Sequence, residues 1–537
     1  MAKQLRLRTT ITLVATAGLV TLLSACDNGS GGQQTPALFR NWIPGEYFNS
    51  ANYRNYCANP RTGDDPFSGQ PVRDRQGRTI DENNWLRAIH NEYYLWYDEI
   101  PDIYDPQNYT TSEYFALQKT TMPSDTGSTR DKDNFHFEID TQDFFDSIVN
   151  GVNAGYGAVF EAISTSPPRE VVVAFTEPNS EATLNSLSRG ARIISVDGTL
   201  VLDGDASILN AGLFPADINE VHTFVVRDLG SMVDRTFNMT SAEVTSSPVQ
   251  NAGIIPGSAN VGYILFNDHI ATSETQLIDA ITLLSGLSVT DVVLDLRYNG
   301  GGFLDIASEL AYMIAGNATT GLTFERMEFN DQYSSLGINP LTGSSLLTPF
   351  YSVSRGFSQT IASGTDLPTL NANNVVIITS GETCSASEAI INGLRAVPGV
   401  NVFQVGTTTC GKPYGNLALG NCGKTYLFTQ FQGFNENDEG EYSDGFKPTN
   451  ASGFGVPITG CAVADDFDHD LTDPLEANIA TSLSILADPT NFDPATDCPA
   501  PPVLVTTKPL GQSKISTPSG SEQDIRNPNK RPLKIIF

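Results

Sequence analysis

The chain has 537 residues, 40% hydrophobic and 17% charged, with 46 glycines and 31 prolines. At roughly 100–200 residues per domain it holds several domains, and its composition excludes collagen-like, heptad and wholly disordered chains. Acidic residues outnumber basic ones 61 to 31, a net charge of -30, and that field repels phosphate backbones, so no nucleic acid partner is expected.

At the start, Lys3, Arg6 and Arg8 precede an apolar run from Ile11 to Leu23. The run is shorter than the about 20 residues a bilayer-spanning helix needs, and residues 1–25 read as a signal peptide. It ends in Leu23-Ser24-Ala25-Cys26, which resembles a bacterial lipobox. That resemblance implies lipidation of Cys26 and a chain anchored in the bacterial cell envelope, facing the periplasm, with inner or outer membrane left open. Gly, Ser and Gln make residues 26–40 a flexible tether. The other cysteines, Cys57, Cys384, Cys410, Cys422, Cys461 and Cys498, are even in number, and disulfides are expected in an exported chain. Proximity suggests Cys410–Cys422 and Cys461–Cys498. No pair has C-x-x-C spacing, which argues against structural zinc and thioredoxin chemistry.

Between Asp81 and Leu117, Trp85, Ile89, Tyr93, Tyr94, Trp96 and Tyr97 recur mostly at three- to four-residue intervals. This predicts amphipathic helix within a helical N-terminal region, 41–150, whose aromatic stripe is most simply a buried face, a peptide groove being the alternative. Met122 to Asn134 reads as a polar loop. Over 151–246 short β-rich runs, Glu170 to Phe175, Arg192 to Val196 and Val221 to Val226, alternate with turn residues. The stretch from Arg189 to Gly198, preceded by Pro178-Asn179-Ser180, resembles the centre of a bacterial PDZ domain, with Asn179, Glu181 and Ala191 departing from the pattern. The resemblance implies a module that takes an extended C-terminus as an added strand, its carboxylate held at Gly155, Tyr156, Gly157 and Ala158.

From Ala259 strands and helices alternate, which argues for an α/β core. Runs such as Asp291 to Leu296 are nearly continuous in apolar residues, as in a sheet covered on both faces. The first motif is Asp295-Leu296-Arg297-Tyr298-Asn299-Gly300-Gly301-Gly302, a strand entering a glycine run whose amides can hold an oxyanion. It is neither a P-loop nor a dinucleotide fingerprint. The second is Ser385-Ala386-Ser387-Glu388 after the strand Val375 to Ile378. Its serines either cap a helix or supply a nucleophile, and the surroundings are not G-x-S-x-G. The third is Gly411-Lys412-Pro413-Tyr414-Gly415-Asn416. A lysine whose pKa burial lowers can take the serine proton, so a Ser/Lys dyad needs no histidine, and none of the five histidines lies in these motifs.

Together the three motifs, in this order, resemble those of the C-terminal processing, or tail-specific, serine proteases, here in a PDZ-containing lipoprotein form. The resemblance runs from Ala259 to about Leu486, with the β-rich module ahead of it. It implies an α/β protease core (ClpP/crotonase-like) over 247–486 with an inserted or preceding PDZ-like domain and a helical N-terminal region. Ser385 would be the nucleophile, Lys412 the general base and Ser387 structural. Asn416 stands where the family has a Gln that orients the lysine. The amides of Ala386 and of Gly300 or Gly301 would form the oxyanion hole. The interval from Ser385 to Lys412 is longer than usual in the family. Cys384, beside the nucleophile, is a disulfide partner or a free buried thiol. No metal or organic cofactor is implied. The expected partners are a protein or peptide with an accessible apolar or unfolded C-terminus and, through the lipid, a membrane.

Two rivals remain: a peptide-binding lipoprotein of the same fold without catalysis, and a carbohydrate-active enzyme with paired carboxylates. Asp465-Asp466-Phe467-Asp468-His469-Asp470 starts like a calcium loop but lacks the following Gly and late Glu, and reads as a solvated turn. Residues 487–537 read as a mostly disordered tail, whose apolar Ile535-Ile536-Phe537 could fill the PDZ groove and inhibit the enzyme.

Overall fold

The computed structural model describes residues 42–502 and 533–535. The expected signal peptide, Cys26 and the expected tether lie outside the described residues, as do 503–532 and 536–537. The apolar runs of the C-terminal half become a parallel sheet. Val261–Phe266, Asp291–Asp295, Asn374–Thr379 and Asn401–Gly406 lie side by side, with Tyr263, Val293, Val376 and Phe403 in register. Gly460–Ala462 extends the sheet in parallel at one edge, and Val249–Ile254 joins antiparallel at the other.

Residues alternate between the faces of this sheet. Ile264, Val292, Leu294, Val375 and Ile377 pack with the helices Ser273–Gly286, Leu304–Ala315 and Ala386–Leu394. Tyr263, Val293, Val376 and Val405 pack with Ala477–Ala487 on the other side. Coverage of both faces is why the strands read as unbroken apolar runs. Among the described residues no helix is long and apolar enough to cross a membrane.

The aromatic stripe of the N-terminal region is buried at Trp85, Ile89 and Tyr94 and half-buried at Tyr93, Trp96 and Tyr97, and helix Thr79–Tyr93 buries Leu86 and His90 beside it. The helix does not run on toward Leu117. Short turns at Tyr97–Glu99 and Pro106–Asn108 lead into helix Thr111–Leu117, because Pro101 and Pro106 cannot continue a hydrogen-bonded helix. The region is fastened to the core by the antiparallel pairing of Phe137–Asp140 with Lys424–Leu427 and by the disulfide Cys57–Cys422.

The β-rich module is an antiparallel sheet in the order Arg235–Thr240, Val221–Arg227, Arg192–Val196, Glu170–Thr176, Ala158–Ser164. It has its own core, including Tyr156, Phe160, Val173, Leu209 and Phe224. The chain enters it along Val152–Gly155 and leaves along Ala242–Thr245, and these two strands pair with each other. Arg189 ties the module to the core. Its guanidinium donates to Tyr298 Oη at 2.7 Å, Asp465 Oδ1 at 2.6 Å and the carbonyls of Asp466 and His469, both at 3.0 Å.

The solvated-turn reading of 465–470 therefore needs correction at Asp465, which is held by Arg189, Arg297 and Tyr298. Of the two disulfides suggested by proximity, Cys461–Cys498 forms. Cys410–Cys422 does not: Cys422 sits at the tip of the Leu419–Asn421/Lys424–Leu427 hairpin, where it meets Cys57, while Cys410 pairs with Cys384. The tail is also more ordered than expected at its start, with helix Pro494–Asp497 ahead of the bridged Cys498. Near its end, Leu533–Ile535 is a strand beside Gly301–Phe303, so the described part of the apolar end lies on the glycine run and not in the β-rich module.

Candidate active site

Asp295 ends a central strand, and the chain then turns through Leu296 to Asn299 toward the glycines. Arg297 is 1% exposed. It pairs with Asp295 at 2.8 Å, Glu476 at 2.9 Å and Asp465 at 2.7 Å, so its charge is compensated by three carboxylates, those of Asp295 and Glu476 fully buried. Asn299 joins the first two motifs. Its Oδ1 accepts from the Gly301 amide at 3.0 Å, and its Nδ2 donates to the Phe266 carbonyl at 2.9 Å. Its carbonyl accepts from the Cys384 amide and from Ser387 Oγ, both at 3.1 Å. His269 Nδ1 lies 2.9 Å from the same Oδ1. Burial pushes the imidazole pKa down to about 3, so a neutral ring donates here. At Gly302, φ is +141° and a Cβ would sit 2.2 Å from the His269 carbonyl oxygen, so only glycine fits.

Ser385 stands between the strand Asn374–Thr379 and the helix Ala386–Leu394. Its backbone has φ +62° and ψ -111°, a region that costs a non-glycine residue about 1–3 kcal/mol and is characteristic of functional turns. The turn is stitched to the first motif: Thr383 Oγ1 donates to the Leu296 carbonyl at 2.8 Å, and Ser380 Oγ to that of Arg297. Ser385 Oγ is buried and makes no hydrogen bond. Ser387 Oγ points to Asn299 instead.

Lys412 is fully buried, with Nζ 5.0 Å from the centre of the Phe135 ring. Phe135 is delivered by the N-terminal region, where Asp133 accepts from its amide at 2.8 Å and from Tyr94 Oη at 2.7 Å. Phe135, Tyr414 and the Cys384–Cys410 bridge form an apolar cluster walled by Leu95 and Trp96. Gly411, at φ +82°, lets the chain pass the Ser443 carbonyl, which a Cβ would meet at 2.3 Å.

Glu388 holds the two loops together. Its Oε2 accepts from the amides of Ser385 at 2.9 Å and Lys412 at 2.8 Å, and its Oε1 from Gly411 N at 2.8 Å and Thr409 Oγ1 at 2.5 Å. Burial raises its pKa against the opposing pull of these donors. The Cys384–Cys410 disulfide, with Cα atoms 5.2 Å apart, makes a second, covalent link between the same loops.

The expected residues thus converge, with three differences. Ser385 and Lys412 do not hydrogen-bond to each other in this geometry. Asn416 is fully buried, yet neither its Oδ1 nor its Nδ2 has a hydrogen-bond partner, so it makes no orienting bond to Lys412; it is one methylene shorter than the Gln of the family. The Gly301 amide already donates to Asn299, which leaves Gly300 beside Ala386, whose amide at the helix start has no intrahelical acceptor. Glu388 and Asn299 stand inside the motifs, but the motifs alone assign them no role. Their position beside the serine and the glycines was the available signal.

Gly155, Tyr156, Gly157 and Ala158 line a cavity of about 760 Å³ that also reaches Gly300, Gly301, Gly302, Cys384 and Cys410. Its walls include Asp143, Asp146, Glu177, Asp217, Glu243 and Asp268, and no Lys, Arg or His among the described residues. Burial, reinforced by Glu177, pushes the Asp268 carboxyl up to about 7.

Residues 260–449 match the family described as Peptidase family S41. A carboxyl-terminal-processing protease of Picosynechococcus sp. is 31% identical over 113 residues, 21% of this chain and 27% of that protein. Carboxyl-terminal-processing peptidase 2, chloroplastic, of Arabidopsis thaliana is 23% identical over 273 residues, 50% of this chain and 52% of its own length. The chain therefore aligns with between about a quarter and about half of the length of these relatives. A Bacteroides fragilis crystal structure assigned to the S41 proteases shares the fold, with a TM-score of 0.56 at 20% identity over 76% of this chain and 98% of that one. The family suggested by the three motifs is the one whose description residues 260–449 match, and the relatives are named carboxyl-terminal-processing peptidases.

Proposed function

We propose, from a core that matches peptidase family S41, that this chain is a serine endopeptidase of the bacterial cell envelope that cleaves protein chains presented by an accessible C-terminus. The observation that carries this reading is the double link between Ser385 and Lys412, through one Glu388 oxygen and through the Cys384–Cys410 bridge. Ser385 Oγ attacks the scissile carbonyl while the neutral Lys412 amine takes its proton, then returns it to the leaving amine. The Ala386 and Gly300 amides stabilise the tetrahedral oxyanion. Water then cleaves the acyl-enzyme, with Lys412 again the base. Substrate binding closes the Ser385–Lys412 contact, which in resting sites is often longer than in the reacting complex.

The β-rich module is read as PDZ-like, taking the chain end at Gly155 to Ala158 and passing the polypeptide through the shared cavity. The core is read as ClpP/crotonase-like. Cys26 is read as the lipid anchor, to be tested by loss of membrane association in Cys26→Ala. A second reading, a peptide-binding lipoprotein without turnover, draws support from the Ser385 hydroxyl and Asn416 amide that lack hydrogen bonds.

The deciding experiment is cleavage of an unfolded protein with an apolar C-terminus by residues 27–537, beside Ser385→Ala and Lys412→Ala. Cleavage by the wild type alone, with both variants folded, establishes the dyad. Binding without cleavage, or cleavage by Ser385→Ala, hands the case to the second reading.

A further inference from the structure

The strand Gly301–Phe303 leaves the glycine run with one side already occupied. The His269 amide donates to the Gly301 carbonyl at 3.2 Å, and the Phe303 amide donates to the His269 carbonyl at 2.9 Å. Successive residues of a strand turn their main-chain groups to opposite sides, so the main chain of Gly302 faces the other way. On that side lies Leu533–Ile535, parallel, with Leu533 opposite Gly301, Lys534 opposite Gly302 and Ile535 opposite Phe303. The same three residues lie beside the helix Ala386–Leu394, which starts at Ser385, and beside Tyr414–Gly415, which follows Lys412. One short segment thus borders the glycine run, the serine helix and the lysine loop together.

We propose that the free edge of Gly301–Phe303 is where an extended apolar peptide docks for reaction, and that residues 533–535 of this same chain occupy it as an intramolecular competitor. This rests on the peptidase reading and adds the ligand class of the edge. Strand addition supplies main-chain hydrogen bonds to any extended chain. A segment reading Leu533-Lys534-Ile535-Ile536-Phe537 has the apolar character of the chain ends the enzyme is proposed to take. Covalent attachment gives it an effective concentration of about mM, which no dilute substrate matches. The resting enzyme therefore works against its own tail.

The test compares the full chain with a chain lacking residues 528–537 and with the double variant Leu533→Pro/Ile535→Pro, which keeps the length and removes strand pairing. Two readouts are taken: KM and kcat on an unfolded protein substrate, and binding of a labelled peptide of sequence 528–537 to each form in the Ser385→Ala background. The expected result is a severalfold fall in KM with kcat unchanged in both altered chains. The peptide should bind them severalfold more tightly than the full chain and compete with substrate. Equal KM across the three chains, or equal peptide binding to all, overturns the proposal. If none of the chains cleaves anything, the peptidase reading fails, while the binding comparison still decides whether the tail holds the edge.

Discussion

Ser385 and Lys412 share one acceptor: the amides of both donate to Oε2 of Glu388, at 2.9 and 2.8 Å. The carboxylate is buried and has four donors around it, so it fixes the two loops against each other. Replacing Glu388 with Gln turns one acceptor into a donor that faces N–H groups. A loss of about 1–3 kcal/mol in stability is expected, measured by urea unfolding. A fall in kcat of about 100-fold with little change in KM should accompany it, because displacing reacting groups by about 1 Å has that effect. A change confined to KM would count against the clamp.

The disulfide beside Ser385 should matter in the same way. Cys384 and Cys410 are separated by 26 residues, a loop whose closure contributes about 3 kcal/mol in the chain-entropy account. The Cys384→Ala/Cys410→Ala variant should lose that stability and most of its kcat. The Cys461→Ala/Cys498→Ala variant, which cuts a bridge of similar span, 37 residues, should lose stability alone. Parallel melting and steady-state measurements separate the two.

How far the sequence carried depended on how local the cause was. Strands such as Asp291–Asp295 were legible because burial on both faces writes itself as an apolar run. Ser385 and Lys412 were legible because their motifs are ordered. The partner of Cys422 was not, since Cys57 reaches it only when the N-terminal region docks on the hairpin. Nor was the stop after Tyr93, because Tyr94 and Trp96 are apolar enough to extend a helical pattern although they pack in turns. The bonds of Asn299 to Phe266, His269, Gly301, Cys384 and Ser387 belong to no periodicity at all.

Glu309 predicts how stability follows pH. It is 1% exposed, and burial, with Glu274 next to it, pushes its pKa up to about 9. The native state then keeps a proton that the unfolded chain releases near 4.5, so this contribution is fully present below that pH and is lost as pH rises through about 9. Glu309→Gln mimics the protonated form. It should leave the melting temperature nearly unchanged at about pH 4.5 and raise it at about pH 8, flattening the slope between. A variant less stable than the parent at the higher pH would contradict the shift.

The acidic lining of the cavity predicts a preference. Paired fluorogenic peptides that differ only in Lys against acetyl-lysine should be cleaved with higher kcat/KM for the charged member, and the ratio should shrink at high salt. Ionisation of Asp268 near 7 should increase the ratio between about pH 6 and about pH 8, and Asp268→Asn should abolish that increase.

The β-rich module both begins and ends in one two-stranded ribbon, Val152–Gly155 with Ala242–Thr245, in which Gly155 faces Ala242. For the surrounding chain the whole module is thus equivalent to one long loop, entered and left at neighbouring points. A short turn spliced across that ribbon keeps the path of the α/β core intact, and another domain grafted at the same two positions would inherit the same outlet. Module and core are therefore separable parts of this architecture, with the ribbon as the graft point.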